Sequence, residues 1–86
     1  MKIAVWDTYV PLDDGNIMHF DIIVPSEITD ASVIYQFGKE YLTSKGLGTL
    51  PLSSNECSFC HIEELKKEWE EEIQAKGYYI YEMENC

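Results

Sequence analysis

Eighty-six residues suffice for a single domain that buries only about 60–65% of the surface its unfolded chain exposes, so the core is small and a staple would help it. A hydrophobic fraction of 45%, with 13% aromatics, is that of a packed globule and excludes a disordered acidic tail. Sixteen acidic against six basic residues exclude nucleic acid and anionic membrane surfaces as partners, because the adjacent pair Lys66-Lys67 lies among Glu63, Glu64, Glu68, Glu70, Glu71 and Glu72 and no basic patch overrides the charge.

The opening Met1-Lys2-Ile3-Ala4-Val5-Trp6-Asp7 meets an aspartate too early for the apolar part of a secretory signal, and no run reaches the length of a membrane span. The expected location is the cytoplasm. In that reducing compartment three cysteines read as ligands or reactive thiols and not as structural disulfides.

Lys2 to Val10 and Ile17 to Val24 are rich in β-branched and aromatic residues, and Asp13-Asp14-Gly15-Asn16 between them is turn chemistry, which predicts a β-hairpin. With Asp14-Gly15 as a two-residue turn, Val10 pairs with His19, Thr8 with Asp21 and Asp7 with Ile22. Strand alternation then puts Ile3, Val5, Asp7 and Tyr9 on a core face with Met18, Phe20, Ile22 and Val24. Ala4, Trp6, Thr8, His19, Asp21 and Ile23 fall on the opposite, more polar face.

Thr29 or Asp30 is an N-cap, and Ala31, Ile34, Phe37, Gly38, Tyr41 and Leu42 recur at helical spacing up to Lys45-Gly46, which predicts a helix. Gly38 inside it implies close approach to the sheet. Leu47 to Ser54, interrupted by Pro51, reads as a loop or edge strand. A second helix is expected from near Ile62 through Leu65, Trp69 and Ile73 to Lys76-Gly77, and Tyr78 to Met83 as a closing strand. The expected architecture is a two-layer α+β domain of ββα(β)αβ order, one domain over residues 1–86, with both helices on one face of a small sheet.

Cys57-Ser58-Phe59-Cys60-His61 places two thiols and an imidazole within five residues, a pattern shared by half of a zinc site, a dithiol redox pair and a c-type haem attachment. If the closing strand runs back along the second helix, Cys86 returns toward this cluster. Cys57, Cys60, His61 and Cys86 would then form a Cys₃His set for tetrahedral zinc. The redox reading rests on Cys57 and Cys60 preceding a helix, whose positive end lowers a thiol pKa. It lacks the preceding strand of a βαβ unit, and haem attachment lacks an export signal.

A second constellation lies on the hairpin. His19 and Asp21 are two apart on one strand face, where a carboxylate can orient an imidazole for acid–base or ligand duty, and Thr8 would face Asp21. The bland alternative is solvated side chains on an open face. Asp7, placed among apolar residues, needs a hydrogen-bond donor, expected from a backbone amide of the loop carrying Cys57 to His61.

With these residues in view, the chain resembles a family of small bacterial proteins catalogued as a domain of unknown function. The matching elements are Asp7-Thr8-Tyr9-Val10, Asp14-Gly15, Met18-His19-Phe20-Asp21, Cys57-x-Phe59-Cys60-His61 and Gly77-Tyr78-x-Ile80-Tyr81-x-Met83-Glu84-x-Cys86. The resemblance implies a compact α+β domain from a bacterium and brings no activity or cofactor with it. Three functions stay open: a non-catalytic zinc-stapled domain that binds a protein partner, a thiol redox protein or sensor using Cys57 and Cys60, and a metal-free acidic adaptor with incidental cysteines.

Overall fold

The computed structural model describes residues 2–57 and 65–86. Six elements follow one another: β1 (Ile3–Pro11), β2 (Ile17–Pro25), α1 (Ala31–Ser44), β3 (Ser53–Glu56), α2 (Lys67–Lys76) and β4 (Tyr79–Glu84). The strands form one antiparallel sheet in the order β3-β1-β2-β4. The expected ββα(β)αβ succession is present, and Ser53–Glu56 is the edge strand.

The hairpin differs from the expected one by a single residue. The Leu12 amide donates to the Asn16 carbonyl (2.8 Å), the Gly15 amide donates to the Leu12 carbonyl (3.1 Å), and Gly15 takes φ 89°. This is a three-residue loop, Asp13-Asp14-Gly15, closed by a glycine in the left-handed region. Asp14 Oδ1 accepts from the Asn16 amide (2.9 Å) and supports it. The extra residue moves every pair along by one: Val10 faces Met18, Tyr9 faces His19 and Asp7 faces Asp21. A one-residue slip exchanges the two faces of a strand.

Ala4, Trp6 and Val10 therefore share a face with Met18, Phe20, Ile22 and Val24, where they pack with Ile34 and Leu42 of α1. Ile3 and Val5 share the other face with Ile23 and Tyr79 and pack with Leu65, Trp69 and Ile73. The two helices thus lie on opposite faces of the sheet, not on one. The correction has a physical basis in β2, where the neighbours Ile22 and Ile23 are both buried, one in each core, so a strand cannot be covered from one side alone.

α1 is the larger cover. Asp30 caps it, its carboxylate accepting from the Ser32 amide (2.9 Å), as expected. Gly38 marks the close approach: a Cβ there would lie 2.9 Å from Leu52 Cδ2 and 3.4 Å from Ile22 Cδ1. Between α1 and the sheet, Thr8 and Ser54 are buried with their hydroxyls 2.8 Å apart.

α2 begins at Lys67, with Lys66 extended (ψ 147°), and the expected start near Ile62 lies outside the described residues. It is ten residues, about 15 Å, long and covers only one end of its face. Gly77, at φ 94°, ends it and turns the chain into β4, which joins the sheet beside β2.

Candidate functional site

The hairpin register assembles the site. Asp7 and Asp21 are Cα partners, directly opposite one another, and His19 lies two residues from Asp21 on the same face, diagonal to Asp7. His19 Nε2 is 3.6 Å from Asp7 Oδ1 and 3.8 Å from Asp21 Oδ1. The Tyr9 ring, opposite His19 in the ladder, stacks on the imidazole at 4.3 Å and 9°, fixing its plane. His19 and Asp21 are mostly covered, with 18% and 14% of their side chains exposed, and Asp7 is more open at 33%.

Two opposed carboxylates on one sheet face repel each other and call for a cation or a proton between them. Burial is the larger cause, and the facing Asp7, as hydrogen-bond partner and as negative charge, the smaller, that push Asp21 up to about 7. Even so the site is not satisfied: His19 Nε2 and Asp21 Oδ1 are both shut off from solvent and have no hydrogen-bond partner. One ligand atom from each of Asp7, His19 and Asp21 falls within a 4.8 Å group, the one such His/Cys/Asp/Glu cluster among the described residues. Tetrahedral bonds of ~2.0–2.1 Å put ligand atoms roughly 3.3 Å apart, so a metal ion would draw the imidazole and each carboxylate together by a few tenths of an ångström and the two carboxylates, which lie within 4.8 Å, by up to about 1.5 Å.

Asp7 thus keeps different company from that expected. It lies on the face of His19 and Asp21, not among Met18 and Phe20. The Cys57 amide does not brace it, donating instead to the Val5 carbonyl (2.8 Å). Thr8 does not face Asp21 but is buried beneath α1.

The thiols divide. Cys57 follows β3 at one edge of the sheet, level with Val5, whereas Cys86 follows β4 at the other edge, its free, exposed thiol donating to the His19 carbonyl (3.3 Å). Two strands stand between β3 and β4, so the backbones are at least about 14 Å apart laterally. No single zinc, with Zn–S bonds of ~2.3 Å, spans that gap. The expected return of Cys86 to Cys57 fails because β4 pairs with β2, the far side of β1 being taken by β3. Cys60 and His61, the other residues of the expected set, lie outside the described residues, as does the intervening part of the proposed redox pair.

Comparison with known proteins places the chain. The family model described as Domain of unknown function (DUF2024) matches residues 1–83. The chain belongs to this family. Among solved structures it is similar to the NMR structure of protein NE1680 from Nitrosomonas europaea, at 42% identity and a TM-score of 0.77 over 100% of this chain and 99% of that one. No curated protein matches it. In this DUF2024 domain no helix among the described residues is long and apolar enough to cross a membrane.

What the DUF2024 sequence left unread is Tyr9, whose place against the imidazole follows only from the true register. The signal available was the parity of the loop, since a three-residue turn would have put Tyr9 opposite His19.

Proposed function

We propose that this DUF2024 domain binds a divalent transition-metal ion, zinc in the first instance, through His19 Nε2 and one oxygen each of Asp7 and Asp21. The observation that carries the reading is the pair of buried, unpartnered atoms, His19 Nε2 and Asp21 Oδ1, facing one another beside a second carboxylate. An imidazole with two carboxylates suits zinc and its neighbours in the first transition row. The ion would replace the proton that the opposed carboxylates otherwise share.

All three ligands come from β1 and β2, so the ion would brace one hairpin and would not tie distant parts of the chain together. Three protein ligands leave a coordination position to water or to a further ligand, unlike the closed Cys₃His set read from the sequence. The reading retains the expected metal-binding, non-catalytic domain and moves its metal from the cysteines to the hairpin.

A thermal melt in chelator and in zinc tests it. Zinc at 100 times its Kd adds about 2.7 kcal/mol, which moves the melt of a domain this size by roughly 10–20 °C. The Asp7→Asn/Asp21→Asn double variant should lose that shift while staying folded. An undiminished shift in the double variant would place the metal elsewhere.

A further inference from the structure

The half of the α2 face that α2 leaves open carries an unusual combination of exposed apolar side chains and unopposed negative charge. Tyr9, Ile17 and Tyr81 are 43%, 54% and 42% exposed, and strand alternation puts them on the face of His19 and Asp21. Met83, 51% exposed, sits at the irregularity where β4 passes His19. Tyr81 is held edge-on by Trp69 (5.5 Å), so the patch has a fixed wall where α2 begins.

Beside these residues stand Asp7 and Asp21 on the same face and Glu84, the ladder partner of His19. β1, β2 and β4 contain no lysine or arginine. Of the six lysines, Lys39 donates to the Gly48 carbonyl, Lys45 pairs with Glu82 on the α1 side and Lys76 pairs with Glu72, while Lys66, over the Trp69 ring, and Lys67 stand where α2 begins, at the edge of the patch, and Lys2 precedes β1. A charge of −10 on each chain opposes a second copy as the occupant and opposes nucleic acid or anionic lipid as well.

We propose that this open half of the sheet docks a basic segment of a protein partner, apolar side chains against Tyr9, Ile17 and Tyr81, and lysine or arginine against Asp7, Asp21 and Glu84. Tyrosine faces accept such cations as well as apolar groups. The segment's charge supplies what the sheet lacks, and complementarity of this kind speeds and orients encounter. The inference stands on exposure and charge and holds with or without the metal, since Glu84 stays unneutralised when the hairpin site is filled.

The test titrates the ¹⁵N-labelled full chain, in chelator, with a short synthetic peptide of alternating arginine and leucine, against a control of alternating glutamate and leucine. Amide shifts should gather on Tyr9, Ile17, His19, Tyr81 and Met83, and binding should weaken with salt. Tyr81→Ala and Glu84→Lys should each weaken binding at least about fivefold, while Glu71→Gln on α2 should leave it unchanged. Equal binding of both peptides, shifts spread over α1 and α2, or unchanged affinity in both patch variants would overturn the proposal. Concentration-dependent self-association through the same residues without peptide would overturn it too, in favour of a second copy. A repeat in zinc with Glu84→Lys separates the two readings: zinc binding retained with docking lost is the result expected here, and failure of zinc to bind the parent chain would sink the metal reading alone.

Discussion

Asp7 and Asp21 face each other across the β1–β2 ladder with the His19 imidazole between their carboxylates. Like charges directly opposite in a sheet cost stability, and here the arrangement is built into the hairpin by a three-residue loop. The cost has to be met by a proton or a cation, and the predictions below follow from which of the two is present.

In the metal-free protein, Asp21 should make stability fall as pH rises. Its folded pKa, raised to about 7, lies above the ordinary carboxylate value, so the neutral form is the one the fold favours. Its contribution is full below about pH 4 and is lost as pH climbs through about 7. In chelator, Asp21→Asn should therefore match the parent in urea unfolding near pH 4 and exceed it near pH 8. A variant less stable than the parent at pH 8 would contradict this origin of the shift.

Cys86 should be dispensable for metal. Its thiol is exposed at the β4 edge, across the sheet from Cys57. Cys86→Ser should keep zinc stoichiometry and the zinc-induced rise in Tm, with surface-level changes in stability of at most about 0.5 kcal/mol. Loss of zinc in this variant alone would restore a cysteine site.

Beneath α1, the Thr8–Ser54 pair should behave as a buried hydrogen bond. Thr8 Oγ1 also donates to the Trp6 carbonyl (3.2 Å), so Thr8→Val strands the Ser54 hydroxyl and should cost about 1–3 kcal/mol. Adding Ser54→Ala should recover part of that loss. A chemical-denaturation cycle over the four proteins reads the coupling, and strict additivity would contradict it.

Gly77 should resist substitution for two reasons. Its φ of 94° lies in the left-handed region, and a Cβ there would sit 3.3 Å from Phe37 Cζ. Gly77→Ala should cost roughly 1–2 kcal/mol from backbone handedness alone, more if Phe37 cannot yield. Phe37 stacks on Tyr78, so the same variant should disturb the entry to β4. An unchanged urea midpoint would show that the turn relaxes.

Which of these features could be read in the sequence depended on local chemistry. Met18, Phe20, Ile22 and Val24 were recognisable as one buried set because β2 alternates cleanly through His19 and Asp21. Asp30 as a cap and Gly38 as a contact point were equally legible, each residue type having one strong structural use. β1 was not, because Ile3-Val5-Tyr9 and Ala4-Trp6-Val10 are both apolar, one set facing each helix, so neither phase stands out. Asp13-Asp14-Gly15-Asn16 suits loops of two or three residues, and that single ambiguity decided whether Asp7 met Ile22 or Asp21. The return of β4 was foreseen, but no local signal said which edge of the sheet it would join, and that choice separated Cys86 from Cys57.

Histidine nitrogens report metal ligation directly, and this chain has only two histidines, His19 and His61. Long-range ¹H–¹⁵N spectra recorded through a zinc titration therefore test the central claim and the cysteine-centred alternative at once. The account predicts that His19 Nε2 moves to the shift of a metal-bound nitrogen as one equivalent of zinc is added, in step with the Asp7 and Asp21 amides. A His19 that keeps its free-imidazole shifts at saturating zinc, or a change at His61 alone, would contradict it.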